Sequence, residues 1–427
     1  MILVCGGMIM GLWKIRGGNE LVGTTYIQGS KNAVLPLLSA ALTAGSVTEF
    51  SNVPRLRDVE HTLEILRCLG CRVQWEDDCV TVDARQACFQ PVPPEQMMQM
   101  RSSVLFLGAM LARFGQGAVS MPGGCMLGPR PVDLHLKALE CLGAQVCVTD
   151  DCICCNAPAL RGAVISFPTP SVGATENAML AACGAEGETV LMGAAREPEI
   201  VELQAFLRQL GMEVSGAGTD CIRLCRRTPP PDRVQYRVMP DRIVGATVLC
   251  AAAGCGGDVT IRGVVPEHLE TVTDALFDMG CAVHTGTDAI RLTSSGHLVS
   301  PGEIETQPYP GFPTDAQPVL LAACLKAQGT ALFRETIFSG RLRHTRELMK
   351  LGANIRVDDR RAWVTGVPVL TGAAVQSTDL RGGAALIVAG LMACGETELI
   401  DREHITRGYE NFDDVLRRLG ADIWYTD

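Results

Sequence analysis

Six copies of one short pattern run along this 427-residue chain: CLGCRV, CLGAQV, QLGMEV, DMGCAV, KLGANI and RLGADI. Their glycines, Gly70, Gly143, Gly211, Gly280, Gly352 and Gly420, stand 73, 68, 69, 72 and 68 residues apart. So regular a period marks six copies of one supersecondary unit. Ahead of each glycine, apolar residues recur every three or four positions, as in Leu63, Leu66 and Leu69, which predicts an amphipathic helix ending in a left-handed glycine cap. Behind it, two strand-like runs flank a polar turn such as Glu76-Asp77-Asp78 or Asp358-Asp359, the pattern of a β-hairpin.

About midway between those glycines lies a second kind of helix, rich in Ala, Leu and Gly: KNAVLPLLSAALTAG, RSSVLFLGAMLARFG, SVGATENAMLAACG, DRIVGATVLCAAAG, DAQPVLLAACLKAQG and RGGAALIVAGLMACG. A helix apolar on nearly every side belongs inside a domain, with the amphipathic helices and the sheets around it. The last copy stops at Asp427 before its hairpin is complete, while strands at Leu12 to Ile15 and Leu21 to Ile27 precede the first buried helix. The two chain ends are therefore expected to complete one unit together. The fold class that follows is α/β, a two-lobed inside-out α/β barrel with three helix-sheet units per lobe. One lobe is expected over residues 31–239 and the other over 1–30 plus 240–427, with crossings near Gly29 and Pro240.

Composition narrows the function. A net charge of -10 offers nothing general to nucleic acid or to anionic lipid, so an anionic ligand has to be met by local cations. The 19 cysteines are scattered, the closest cluster, Cys152, Cys154 and Cys155, is not read as a zinc site, and all read as reduced and mostly buried side chains of a cytoplasmic protein. No H-x-x-x-H, G-x-G-x-x-G or Walker sequence is present, so no metal or nucleotide cofactor is expected. The apolar start, MILVCGGMIMGLW, has no basic residue before Lys14 and makes a poor signal peptide, with Met8 or Met10 as alternative starts. No uncharged run reaches the roughly 20 apolar residues of a membrane span.

The buried helices open on Lys31-Asn32, Arg101-Ser102, Ser171-Val172-Gly173, Asp241-Arg242, Asp315 and Asp379-Leu380-Arg381. Helix N-termini carry unpaired N–H groups and about half a positive charge, so three together favour an anion. Ser171, Asp315 and Asp379, taken alone, favour the reading of ordinary N-caps. Lys31, Arg101 and Arg381 are not preferred caps and point instead to an anionic ligand.

The segments GSKNAVLPLLSAAL, PGGCMLGPRPVDLHL, PSVGATENAML, REPEIVEL, YRVMPDRI, FPTDAQ, STDLRGGAAL and RGYENFDDVLRRLGA carry a family resemblance. Together they resemble the UDP-N-acetylglucosamine 1-carboxyvinyltransferases, enolpyruvyl transferases of peptidoglycan precursor synthesis, from about Met10 to the chain end. The resemblance implies two small-molecule substrates, phosphoenolpyruvate and UDP-N-acetylglucosamine, and no obligate protein partner. It implies Cys125 as general acid and fosfomycin-reactive thiol, and Asp315 as the base for the sugar 3-hydroxyl. Lys31, Arg130 and Arg407 fill the donor's anion-binding places, with Asn32 and Arg381 beside them. The nucleotide sugar would meet Arg101, Arg130, Pro131, Val132, Asp133, Leu134, Ser171, Val172, Gly173, Asp315, Ile337 and Arg341, with Asp379 also in the binding set. Cys125 as a structural thiol, and Arg407 as a solvated residue before a helix, remain the plain readings. Thr169 stands where many relatives have a basic residue. The transferases that use shikimate 3-phosphate lack the cysteine loop; they are the rival within the enzyme class, and a non-catalytic nucleotide-sugar binder is the rival outside it.

Overall fold

The computed structural model describes residues 3–5, 8–93, 96, 101–120 and 132–426. Six separate sheets form among them, none closed into a barrel. The repeated unit is clearest in residues 164–226. Val164–Ser166 runs parallel to Thr189–Met192 across the buried Val172–Ala182 helix, and the amphipathic Pro198–Gln209 helix then leads into the hairpin Met212–Ser215 and Cys221–Arg226. A parallel pair needs a crossover of this length, which is why a unit built this way carries an internal helix.

All six repeat glycines sit at positive φ, from 82° at Gly70 to 99° at Gly420. Behind four of them the following N–H reaches back to a carbonyl in the last helical turn, as Cys71 does to Leu66 at 3.0 Å and Ala421 to Leu416 at 3.1 Å. This is the Schellman closure, and it turns the chain from helix into strand. Two-residue turns at Asp77-Asp78 and Asp359-Arg360 then reverse the hairpins, with Asp77 and Asp359 in the left-handed region.

The chain divides into two compact units, one containing residues 29–120 and 132–239 of those described, the other 3–28 and 240–426. In the first, the buried helices Lys31–Ala44, Leu105–Phe114 and Val172–Ala182 pack on one another. Every residue of Lys31–Ala44 except Asn32 is buried. Each fully buried Leu, Val or Phe in such a helix contributes roughly 1.5–3 kcal/mol. This unit closes on itself, because its last strand, Arg233–Arg237, pairs in parallel with its first, Val47–Ser51.

In the second unit the buried helices are Arg242–Cys255, Gln317–Ala323 and Leu380–Met392. Met8–Arg16 pairs antiparallel with both Glu396–Asp401 and Asp422–Thr426, so strands from opposite ends of the chain share one sheet. Leu21–Tyr26 joins the neighbouring sheet beside Gly257–Arg262. No helix of the described residues is long and apolar enough to cross a membrane.

One expectation is corrected here. The described cysteines are free but not mostly buried: Cys71, Cys155, Cys183, Cys250, Cys281 and Cys324 are buried, whereas Cys88, Cys141, Cys147, Cys154 and Cys394 are exposed. Strand alternation sends every second side chain outward, and Cys147 and Cys154 occupy outward positions.

Candidate active site

In the 240–426 unit, three charged side chains converge from separate segments. Asp315 precedes the Gln317–Ala323 helix, Arg341 opens the Arg341–His344 turn, and Arg381 lies in the first turn of Leu380–Met392. Arg341 Nη2 donates to Asp315 Oδ1 at 2.6 Å, while Arg381 Nε and Nη2 both approach Oδ2 at 3.1 Å. The guanidinium side chains are 1% and 3% exposed, but the carboxylate is 26% exposed, so the acid remains reachable. Asp315 is not the N-cap of its helix: that position is Ala316, and the carboxylate is turned to the two arginines instead. Asp379 does cap its helix, accepting from the Arg381 and Gly382 N–H groups at 3.0 and 3.2 Å, and lies 3.7 Å from Arg341.

Burial works against the Arg381 charge, and Asp315, Tyr409 and Asp241 more than offset it, so its pKa is raised. The Tyr409 ring lies 5.6 Å from this guanidinium, and its hydroxyl meets Thr247 Oγ1 at 2.9 Å. Arg341 is held in turn by Thr314 Oγ1, which donates to Glu335 Oε2 at 3.0 Å. The other oxygen of Glu335 accepts from the Ile337 and Phe338 N–H groups at 2.8 and 2.9 Å, which fixes Ile337. Arg407, half-buried, ends the Ile405–Arg407 turn. That turn hangs on Asp401, whose oxygens accept from the His404 and Ile405 N–H groups and from Ser377 Oγ.

In the 29–239 unit, Ser30 and Ser171 cap the Lys31–Ala44 and Val172–Ala182 helices through side-chain oxygens. The Lys31 ammonium is 2.6 Å from Asp58, both nearly buried. Asn177, fully buried, accepts from the Gly108 N–H at 2.8 Å and donates to the Val104 carbonyl at 3.1 Å and to His135 Nδ1 at 3.2 Å. It thereby joins the middle of its own helix to the start of Leu105–Phe114 and to the Asp133–Cys141 helix. A Cβ on Gly173 would stand 3.0 Å from His135 Cε1, so any other residue there would make the imidazole give by a few tenths of an ångström. Val132 and Leu134 are half-buried and Asp133 is exposed. The Arg101 side chain, Cys125, Arg130 and Pro131 lie outside the described residues.

Burial pushes the His135 imidazole down to about 4, with Asp133 opposing only weakly. Since Asn177 donates to Nδ1, the neutral ring carries its proton on Nε2. The unfolded chain takes up a proton near pH 6.5 and the folded chain does not until about pH 4, so stability is lost as pH falls through that window. Urea unfolding is expected to show up to about 1.4 kcal/mol lost per pH unit there, and His135→Gln should flatten that slope. An unchanged slope in the variant would count against a neutral buried imidazole.

Comparison with known proteins decides the family. A family model described as EPSP synthase (3-phosphoshikimate 1-carboxyvinyltransferase) matches residues 15–416. UDP-N-acetylglucosamine 1-carboxyvinyltransferase 2 of Caldanaerobacter subterraneus subsp. tengcongensis is 44% identical over 97% of this chain and 99% of its own. UDP-N-acetylglucosamine 1-carboxyvinyltransferase 1 of Symbiobacterium thermophilum is 45% identical over 96% and 94%. The chain belongs to the UDP-N-acetylglucosamine 1-carboxyvinyltransferase family. The enolpyruvyl transferase NikO from Streptomyces tendae superposes with a TM-score of 0.88 at 26% identity, covering 98% of this chain and 99% of that one. EPSP synthase from Acinetobacter baumannii, at 20% identity and a TM-score of 0.74 over 98% and 100%, shares the fold.

As a member of the UDP-N-acetylglucosamine 1-carboxyvinyltransferase family the chain is a transferase, and the Asp315, Arg341 and Arg381 cluster is suited to that chemistry. It offers a reachable carboxylate in a fixed orientation beside buried cations. Sequence reading missed Asp58, His135, Asn177, Glu335 and Tyr409. Tyr409 and His135 fall inside the RGYE and RPVDLHL segments that carried the resemblance, which was the available signal. No group of three His, Cys, Asp or Glu among the described residues is arranged to hold a metal ion.

Proposed function

We propose that the chain transfers the enolpyruvyl group of phosphoenolpyruvate to the 3-hydroxyl of UDP-N-acetylglucosamine with release of phosphate. This is the first committed step of peptidoglycan precursor synthesis, carried out in the cytoplasm in support of wall growth and division. The observation that carries the reading is Arg381. Its Nη1 is buried without a hydrogen-bond partner among the described residues, while Nε and Nη2 hold Asp315. A buried cationic donor left unmet is costly, and a phosphate or carboxylate of the donor substrate would satisfy it with a charge-assisted bond.

In the proposed reaction the Cys125 thiol gives a proton to the methylene carbon of phosphoenolpyruvate, and the sugar 3-oxygen bonds to the neighbouring carbon. Asp315 takes the hydroxyl proton in that step, held in orientation by Arg341 and Arg381. Deprotonation of the same methyl group then expels phosphate and restores the double bond. Lys31, Asn32, Arg130 and Arg407 hold the donor. Val132 to Leu134, Ser171 to Gly173 and Ile337 face the sugar nucleotide, with Arg101 and Pro131 contributing from outside the described residues. Fosfomycin would be opened by the Cys125 sulfur.

Phosphate release from phosphoenolpyruvate, measured with each candidate acceptor, tests the assignment. Release is expected with UDP-N-acetylglucosamine and none above background with shikimate 3-phosphate. The reverse result would overturn it.

A further inference from the structure

The three-stranded sheet of the 29–239 unit carries a group of thiols with no part in the proposed chemistry. Cys152 and Cys154 lie two residues apart on one strand and so share a face, and Cys147 is the direct cross-strand partner of Cys154. Cys152 Sγ and Cys154 Sγ are 3.7 Å apart. Cys147 and Cys154 are exposed and Cys152 is half-buried. Thr149 opposite accepts from the Cys152 N–H at 3.1 Å and touches its sulfur at 3.3 Å, which holds Cys152 in place.

The spacing restricts what the thiols can do. A disulfide would need the sulfurs at about 2.05 Å, and residues two apart on a strand stand roughly 6.6 Å apart at Cα, near the upper limit for that bond. The Cys147–Cys154 pair flanks the Thr149–Cys152 hydrogen bond at 2.9 Å by two residues, so it occupies a hydrogen-bonded register position with a Cα separation of about 5.5 Å, which puts the Cys147 sulfur within reach of a shared ligand. The Cys154 thiol is pushed up by burial and by Cys152 and Cys147, which keeps it protonated and slow toward peroxide or alkylating agents. The trio is not preset around a metal ion. A reagent that bridges two sulfurs while leaving them in non-bonded contact fits this geometry, provided it displaces thiol protons as water.

We propose that Cys152 and Cys154 form a surface site for trivalent arsenicals, with Cys147 supplying a third bond where the arsenical can accept one. With phenylarsine oxide the step is C6H5AsO plus two R–SH giving C6H5As(SR)2 plus H2O. Two S–As bonds form, the As–O bonding is lost to water with both thiol protons, and arsenic stays trivalent. Inorganic arsenite, As(OH)3, takes three thiols and releases three waters. Cys152 pairs across the sheet with Ser120, the last described residue before the Cys125 segment, so the test removes the Cys125 thiol.

Intact-mass measurement on the full chain in a Cys125→Ser background tests this, with phenylarsine oxide as the probe. One phenylarsenic adduct is expected, surviving excess glutathione and removed by 2,3-dimercaptopropanol. It should be lost in Cys154→Ser and in Cys152→Ser, with circular dichroism unchanged. Cys147→Ser should retain the phenylarsine adduct yet shed arsenite at least tenfold faster. No adduct in the parent, or an adduct untouched by both Cys152→Ser and Cys154→Ser, would overturn the site. Unchanged arsenite release in Cys147→Ser would remove the third bond.

Discussion

Asp315→Ala is expected to lower kcat by about 10²–10⁴, the usual contribution of a positioned general base, and to lower unfolding stability by about 3 kcal/mol. The two effects have different origins. The kinetic loss follows from the proposed acceptance of the sugar hydroxyl proton. The stability loss follows from geometry alone, because Arg341 and Arg381, at 1% and 3% exposure, would lose the carboxylate they share. Asp315→Asn separates them: its amide oxygen still accepts from one guanidinium while the amide nitrogen faces the other, so only part of the stability should return while turnover stays low. Steady-state kinetics and urea unfolding on both variants give the answer. If Asp315→Asn turned over within twofold of the parent, Asp315 would not be the base.

Cys125→Ser is expected to cost a similar 10²–10⁴ in turnover with UDP-N-acetylglucosamine affinity nearly unchanged. A serine hydroxyl is far too weak an acid at neutral pH to protonate carbon, yet it is smaller than the thiol and leaves the substrate room. Calorimetric titration of the sugar nucleotide beside the phosphate-release assay separates binding from chemistry. Covalent fosfomycin uptake should vanish in the same variant. Full turnover with serine would end the acid assignment.

The repeat made the architecture legible. Six glycines at near-constant intervals announced six helix ends, and each has the positive φ that such a cap needs. The shared sheet of the chain ends was legible for the same reason, since a sixth unit lacking the last strand of its hairpin takes Met8–Arg16 in that place. Site residues were legible as chemical types but not as partners. Whether Asp315 caps a helix or binds two arginines depends on where residues 26 and 66 positions away arrive, and no local pattern encodes that. Asp58 is a similar case: its first-turn position suits the helix dipole, and only packing against Lys31 gives it a second role. Arg407 is half-buried and ends a turn tied down through Asp401.

The strand Met8–Arg16 has a long wait during synthesis. Its hydrogen-bonded neighbours Glu396–Asp401 lie about 380 positions downstream, as the Arg16 to Glu396 contact shows. At roughly 5–20 residues per second the ribosome takes about twenty seconds to over a minute to deliver them. Throughout that interval an early strand with apolar side chains has unmet edges, while the intervening 29–239 segment already holds every strand it needs to fold. Chaperone dependence in this enzyme should therefore track the fate of its first sixteen residues more than that of the segment following them.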